Sequence, residues 1–330
     1  MMITRRSALL AALAASVLPA AGALSGAASA AEPTIRIATL KFGTVSWEID
    51  VIKTHGLDKK HGFDLEMIPI SGKQAADVML LGGEADVIVT DWIWVSRQRS
   101  QGKLVSFVPY SATVGSVMAK KDGPVKSLAD LKGKKIGVSG GPTDKSWIIL
   151  QAYAKKTAGI DLAKDVEPVF AAPPLLNEAA EKDEIAAIIN YWHFLAKLQA
   201  KGFVPLVTVR DAAQALGLDP NLPLLGYVFT DAFAKANPGA IDGLAKASAE
   251  AKELLKGDAE WERLKPMMKV SNDAEFEALK AGFRAGIPSG EAVDPASAAK
   301  MFAFLAEIGG AELTGETKTL DPGTFYKLPS

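Results

Sequence analysis

The 330-residue sequence has no cysteine and only three histidines, His55, His61 and His193. The missing cysteine excludes a disulfide scaffold, a cysteine nucleophile, a thiolate zinc site and a lipid-bearing N-terminal cysteine. Three histidines leave little from which to build a histidine metal centre. No charge of one sign dominates, since 37 Lys and Arg stand against 38 Asp and Glu. That balance argues against nucleic acid as a partner, which calls for a basic excess. No P-loop, G-x-G-x-x-G or H-E-x-x-H motif occurs. No cofactor, metal or catalytic residue set is expected.

What is present begins with an uneven distribution of apolar residues. Arg5 and Arg6 precede an apolar stretch from Ala8 to Leu24, then a small-residue run ending Ala28-Ser29-Ala30. This is the pattern of a cleaved secretory signal over residues 1–30. Thr4-Arg5-Arg6-Ser7-Ala8-Leu9-Leu10 also fits a twin-arginine export signal. Pro19, Gly22 and Gly26 interrupt the stretch, which argues against a membrane anchor. Residues 31–330 then hold 35 basic and 38 acidic residues, a formal charge of −3. The expected product is a soluble, mildly acidic periplasmic monomer. A thiol-free composition suits an oxidising compartment.

The remainder alternates strand and helix signals. Thr34–Leu40, Phe63–Pro69, Asp86–Thr90 and Leu104–Pro109 read as strands, with helices over Ser46–Lys53, Lys73–Leu81 and Trp92–Gln101 between them. The pattern restarts with Val114–Lys120 extended and Lys134–Ser139 as a strand. A helix opens at Gly141-Pro142-Thr143, with proline in a favoured first-turn position. Strands follow at Val166–Phe170, Ile185–Asn190, Phe203–Val209 and Leu224–Thr230, with helices over Leu175–Lys182 and Trp192–Lys201 between them. After these come only helices, over residues 238–256, 258–268, 273–285 and 295–308. Buried β-branched strands between helices predict parallel sheets covered on both faces. The α/β pattern thus predicts two lobes, 31–113 plus 225–330 and 114–224, joined by two crossing strands. The helical tail is expected to pack on the first lobe.

Four segments carry a resemblance. Lys126-Ser127-Leu128-Ala129-Asp130-Leu131-Lys132-Gly133-Lys134-Lys135, Gly56-Leu57-Asp58-Lys59-Lys60-His61-Gly62-Phe63-Asp64-Leu65-Glu66, Gly82-Gly83-Glu84-Ala85-Asp86-Val87 and Phe233-Ala234-Lys235-Ala236-Asn237-Pro238 occur in this sequence. They resemble, in kind and order, motifs of type II periplasmic solute-binding proteins of ABC transporters. The spacing is most similar to the nitrate/sulfonate/taurine and thiamine-precursor branch. The resemblance implies a Venus-flytrap protein that closes on a small organic ligand and presents it to an ABC permease in the inner membrane.

Ligands of open α/β sheets bind beyond the C-terminal strand ends. Those ends nominate Phe42, Thr44, Trp47, Ser71, Asp91, Trp92, Thr143, Ser146, Trp147, Tyr191 and Trp192 as ligand-binding residues. Helices opening at Ser71–Lys73 and Gly141–Thr143 are expected to aim backbone N–H groups at ligand oxygens. Five of six tryptophans fall at or beside these ends, which suggests stacking on a planar or cationic group. Core packing is the competing explanation for each aromatic, Trp94 above all. Asp91 either accepts from a ligand nitrogen or caps its helix.

Gly137-Val138-Ser139-Gly140-Gly141 matches G-x-S-x-G, and the order Ser139, Asp183, His193 suits an esterase. His193 lies too far from the C-terminus for that fold, and Pro142 removes an N–H where an oxyanion hole forms. His55 and His61 read as surface residues, and His193 as a helix-start or ligand group. The short lysine runs read as solvated turns. A second alternative is an accessory protein using the same fold to bind a partner enzyme or sensor.

Overall fold

The computed structural model describes residues 32–290 and 292–329. The expected export signal lies outside the described residues. Residues 32–330 form one compact unit built on two five-stranded sheets.

The first half runs β1 (Thr34–Leu40), α1 (Val45–Thr54), α2 (Leu57–Lys60), β2 (Asp64–Ile70), α3 (Lys73–Gly82), β3 (Val87–Asp91), α4 (Trp92–Ser100) and β4 (Val105–Ser111). The second runs β5 (Ser116–Lys120), β6 (Lys135–Val138), α5 (Lys145–Ala158), β7 (Glu167–Phe170), α6 (Pro173–Glu181), β8 (Ala187–Ile189), α7 (Trp192–Gln199), β9 (Phe203–Thr208) and α8 (Val209–Ala215). The chain then returns through β10 (Leu225–Thr230) and α9 (Asp231–Ala236). It ends in α10 (Ala240–Lys256), α11 (Ala259–Met268), α12 (Asp273–Ala285) and α13 (Pro295–Thr314).

The sheet orders are β2-β1-β3-β10-β4 and β7-β6-β8-β5-β9, the same layout twice. Each sheet holds one antiparallel strand, β10 and β5, rather than being wholly parallel. The cause is the crossing itself. β1, β3, β6 and β8 end at the cleft, whereas β5 and β10 start there after the chain has crossed. A strand that starts where its neighbours end must run against them. Gly115, just before β5, passes so close to β8 that an added Cβ would sit 2.5 Å from the Asn190 carbonyl oxygen.

Burial explains why these strands form. Ile35, Ile37, Val87, Ile88, Ile136, Val138 and Ile188 are all fully buried. Each such side chain contributes about 1.5–3 kcal/mol relative to exposure. The tail helices reach further than the first sheet. α10 and α11 pack on α1, but α12 packs on α7, and α13 touches both α4 and α5. Phe302 and Leu305 of α13 join Trp92 and Phe107 of the first sheet region to Ile136 and Leu150 of the second in one apolar cluster. The kink in α13 falls at Gly310, with φ 61 and ψ −164.

Candidate functional site

A cavity of about 340 Å³ lies between the strand ends of the two sheets. That is the size range of small-molecule sites. Its wall takes Thr44, Lys73, Asp77, Asp91, Trp94, Arg97 and Tyr110 from the first-sheet side. Ser139, Thr143, Asp144, Lys145, Ser146, Tyr191, Trp192 and His193 come from the second. Among the described residues no group of three or more His, Asp or Glu is placed to hold a metal.

Six of the eleven nominated residues line this cavity: Thr44, Asp91, Thr143, Ser146, Tyr191 and Trp192. Phe42, Trp47, Ser71, Trp92 and Trp147 do not. Phe42 packs edge-on against Phe194 at 5.8 Å, and Ser71 is exposed. Trp147 is buried against Phe170. Trp47 sits in an aromatic cluster with Trp261, Phe283 and Trp192. Trp192 therefore serves two ends, facing the cavity and inserting from α7 toward α12. An added Cβ on Gly282 would lie 2.6 Å from its ring, so only glycine leaves room there.

Trp92 and Trp94 exchange the places the sequence gives them. Trp92 is fully buried beside Phe325, and Trp94 lines the cavity with Lys73 Nζ 5.5 Å from its ring centre. Residues two apart on a helix point about 200° apart, so one turns to the core when the other turns to the cleft.

The helix termini also differ from expectation. α5 starts at Lys145, so Pro142 lies in the preceding turn and not in the helix. Asp144 Oδ1 accepts from the Ser146 and Trp147 N–H groups at 2.9 and 3.3 Å, occupying that helix start itself. Asp91 Oδ1 does the same for α4, accepting from Trp94 N at 2.8 Å. The starts of α1, α3 and α7 carry no side-chain cap, and Thr44, Lys73 and Tyr191 beside them line the cavity.

Charge in the wall is balanced. Lys73, Arg97 and Lys145 face Asp77, Asp91 and Asp144. Lys73 Nζ bonds Asp77 at 3.0 Å, and Arg97 Nη1 donates to the Glu312 carbonyl at 2.8 Å. Lys145 Nζ lies 3.8 Å from Asp91 Oδ2, beyond hydrogen-bonding distance, with 13% and 15% of the two side chains exposed. This pair joins a residue of α5 to one ending β3, one from each side of the cleft.

Two carboxyls here are pushed in opposite directions. Burial holds Asp77 above the usual carboxylate range despite Lys73. Burial also pushes Asp91 up, but Lys145, Lys73 and the Trp94 N–H outweigh it and bring it below that range. Burial, with Asp144 and Asp91 nearby, raises Tyr191 and keeps its hydroxyl protonated. His193 is lowered to about 3 by burial and then by Lys197, an effect the Phe42 backbone beside it offsets only in part. Neither ring nitrogen has a partner in hydrogen-bonding geometry. The imidazole is therefore neutral and is not bonded to Ser139. Asp183 is 73% exposed and paired with Lys120 at 2.6 Å. The Ser139, Asp183, His193 constellation does not assemble.

The sequence reading passed over Asp77, Arg97, Tyr110, Asp144 and Lys145. The Lys73–Asp77 spacing of four residues was the available signal for one pair. Arg97 sits far enough along α4 that only the packing against α13 reveals it.

Residues 50–259 match the family model described as NMT1/THI5 like. None of the curated proteins matches the sequence. Among solved structures, the periplasmic aliphatic sulphonate binding protein SsuA of Escherichia coli is 18% identical with a TM-score of 0.67. That match covers 87% of this chain and 95% of that one. The alkanesulfonate-binding SsuA of Xanthomonas axonopodis pv. citri, bound to MOPS, is also 18% identical at TM-score 0.68, covering 88% and 97%. The desulfurization enzyme DSZB is 16% identical at TM-score 0.55, covering 84% and 92%. At these identities the likeness is one of fold.

Proposed function

The chain belongs to the NMT1/THI5-like family, and from that premise we propose that it is an exported solute-binding protein. It captures a small organic ligand between its two lobes in the periplasm and delivers it to an ABC-type permease. The observation that carries this is the cavity of about 340 Å³ walled by strand ends from both sheets. A ligand touching both walls favours the closed arrangement through contacts that the open one lacks. The lobes of the proposal are residues 31–113 plus 225–330 and residues 114–224.

The same fold houses the enzyme DSZB, so fold alone does not separate binding from catalysis. Support for binding without chemistry comes from the wall. Ser139 has no base bonded to it, and Asp91 and Asp144 spend an oxygen each on helix caps. Among the described residues no helix is long and apolar enough to cross a membrane. Tyr191 and Trp192 supply the aromatic surface, and Thr44, Thr143 and Ser146 the hydroxyls.

The test is a thermal-shift screen of residues 31–330 against small organic acids, amides and amines. A ligand that binds only the folded state at a hundred times its Kd stabilises by about 2.7 kcal/mol. The expected result is a raised Tm with at least one compound, abolished in Tyr191→Ala. A flat response to the whole set contradicts the capture reading.

A further inference from the structure

We propose that the captured ligand carries no net charge and presents a donor and an acceptor side by side, the donor to Asp91 and the acceptor to Lys145. The inference rests on the capture reading and specifies the chemistry of its ligand.

The first observation is the charge count of the wall. Three cations face three carboxylates, and His193, the remaining titratable nitrogen group there, is neutral. An anion or a cation entering alone would leave one uncompensated charge in a largely desolvated space. A zwitterion or an amide-like group leaves none.

The second observation is which charges are still unsatisfied. Lys73 is hydrogen-bonded to Asp77, and Arg97 to the Glu312 carbonyl. Lys145 makes no hydrogen bond among the described residues, and its ion-pair partner Asp91 stands 3.8 Å away. A buried ammonium has three donors to place. Asp91 has given Oδ1 to the Trp94 N–H, which leaves Oδ2 to accept. The unmet needs therefore include an acceptor for Lys145 and a donor for Asp91 Oδ2, next to each other. A group offering both replaces one loose ion pair with two charge-assisted hydrogen bonds. Since the two residues come from opposite walls, that exchange also ties the walls together.

The third observation concerns the helix termini. The two N-termini nearest this pair, those of α4 and α5, are already capped by Asp91 and Asp144. The carboxylates thus offset the two positive ends beside this pair, while the uncapped starts of α1, α3 and α7 lie elsewhere in the wall.

The test is isothermal titration at pH 7 of residues 31–330 with two matched sets. One is β-alanine, propionate and propylamine; the other is benzamide, benzoate and benzylamine. In at least one set the net-neutral member is expected to bind at least about tenfold more tightly than both charged members, or 1.4 kcal/mol. Asp91→Asn, which still caps α4, is expected to shrink the advantage over the anion. Lys145→Met is expected to shrink the advantage over the cation. Equal or tighter binding of a charged member wherever binding occurs overturns the inference and leaves the capture reading standing. Preferences unchanged in both variants overturn it likewise. No binding by any of the six compounds overturns the inference, while the capture reading stands or falls on the broader thermal-shift screen.

Discussion

Two buried ion pairs in this protein are built in opposite ways. Glu48 of α1 and Lys252 of α10 lie within the first lobe, and Glu48 is wholly enclosed. Lys252 Nζ is 2.9 Å from Glu48 Oε2, close enough for an ion pair though not aligned as a hydrogen bond. Tyr227 donates to Glu48 Oε1 at 2.6 Å, Lys252 donates to Ser248, and the ammonium sits 4.6 Å from the Tyr110 ring centre. Asp91 and Lys145, by contrast, face each other across the cleft at 3.8 Å with fewer partners. The first pair is closer, has more partners and belongs to the core. The second is incomplete and sits where two walls meet. The core charges have their partners within one layer of packing, whereas the cleft charges retain hydrogen-bonding capacity.

Breaking the core pair should cost the most. Lys252→Met leaves the Glu48 charge uncompensated inside the protein, for which about 3–5 kcal/mol is expected. Urea unfolding with an unchanged m-value measures it. The double variant Glu48→Gln, Lys252→Met should recover most of that loss, because no lone charge remains. A single variant costing under about 1 kcal/mol would show that the centre is not a charge pair in the sense described.

A second contrast separates two cleft residues by pH. An unfolded imidazole takes its proton below about 6.5, while His193 in the folded protein takes one only near pH 3. Between those values the unfolded chain binds more protons, so stability falls as the pH drops. The slope approaches about 1.4 kcal/mol per pH unit for one group. Asp91 acts lower, because the stabilisation from a depressed carboxyl is complete above the unfolded carboxylate value and is lost as the pH falls from there through the folded one. Stability curves of the wild type and His193→Gln should therefore diverge from pH 6 to pH 4, the variant being the flatter. Parallel curves would place His193 in contact with water or a partner.

The order of elements was readable in advance because fully apolar strand segments and helix starts are local signals. The two-lobed α/β arrangement followed from that order, but the antiparallel course of β5 and β10 did not, because it depends on where the chain crosses between the sheets. What the sequence left open depended on rotation and on distance along the chain. Trp92 and Trp94 are equally aromatic, and only the start of α4 at residue 92 decides which one meets the cavity. Asp144 is an unremarkable acid until the turn at Gly140 and Gly141 places it as the cap of α5. The short helices α8 and α9 carry no long apolar period and were not anticipated. Tyr110 and Arg97 enter the wall through strand order and the packing of α13, which no local spacing records. Glu48 and Lys252 are about two hundred residues apart and meet only in the fold.

The smallest expected effect on stability bears most directly on the account. Lys145→Ala should cost less stability than Lys252→Met, since Asp91 stands 3.8 Å away and keeps the Trp94 N–H as a partner. It should nevertheless loosen the two walls. The chain contains no cysteine, so Ala75→Cys on α3 and Leu175→Cys on α6 provide unique exposed sites for spin labels. Double electron–electron resonance on this pair reads the distance between the lobes. The account predicts a shift toward longer or broader distances in Lys145→Ala and no shift in Glu48→Gln, Lys252→Met. Superimposable distributions in wild type and Lys145→Ala would contradict it.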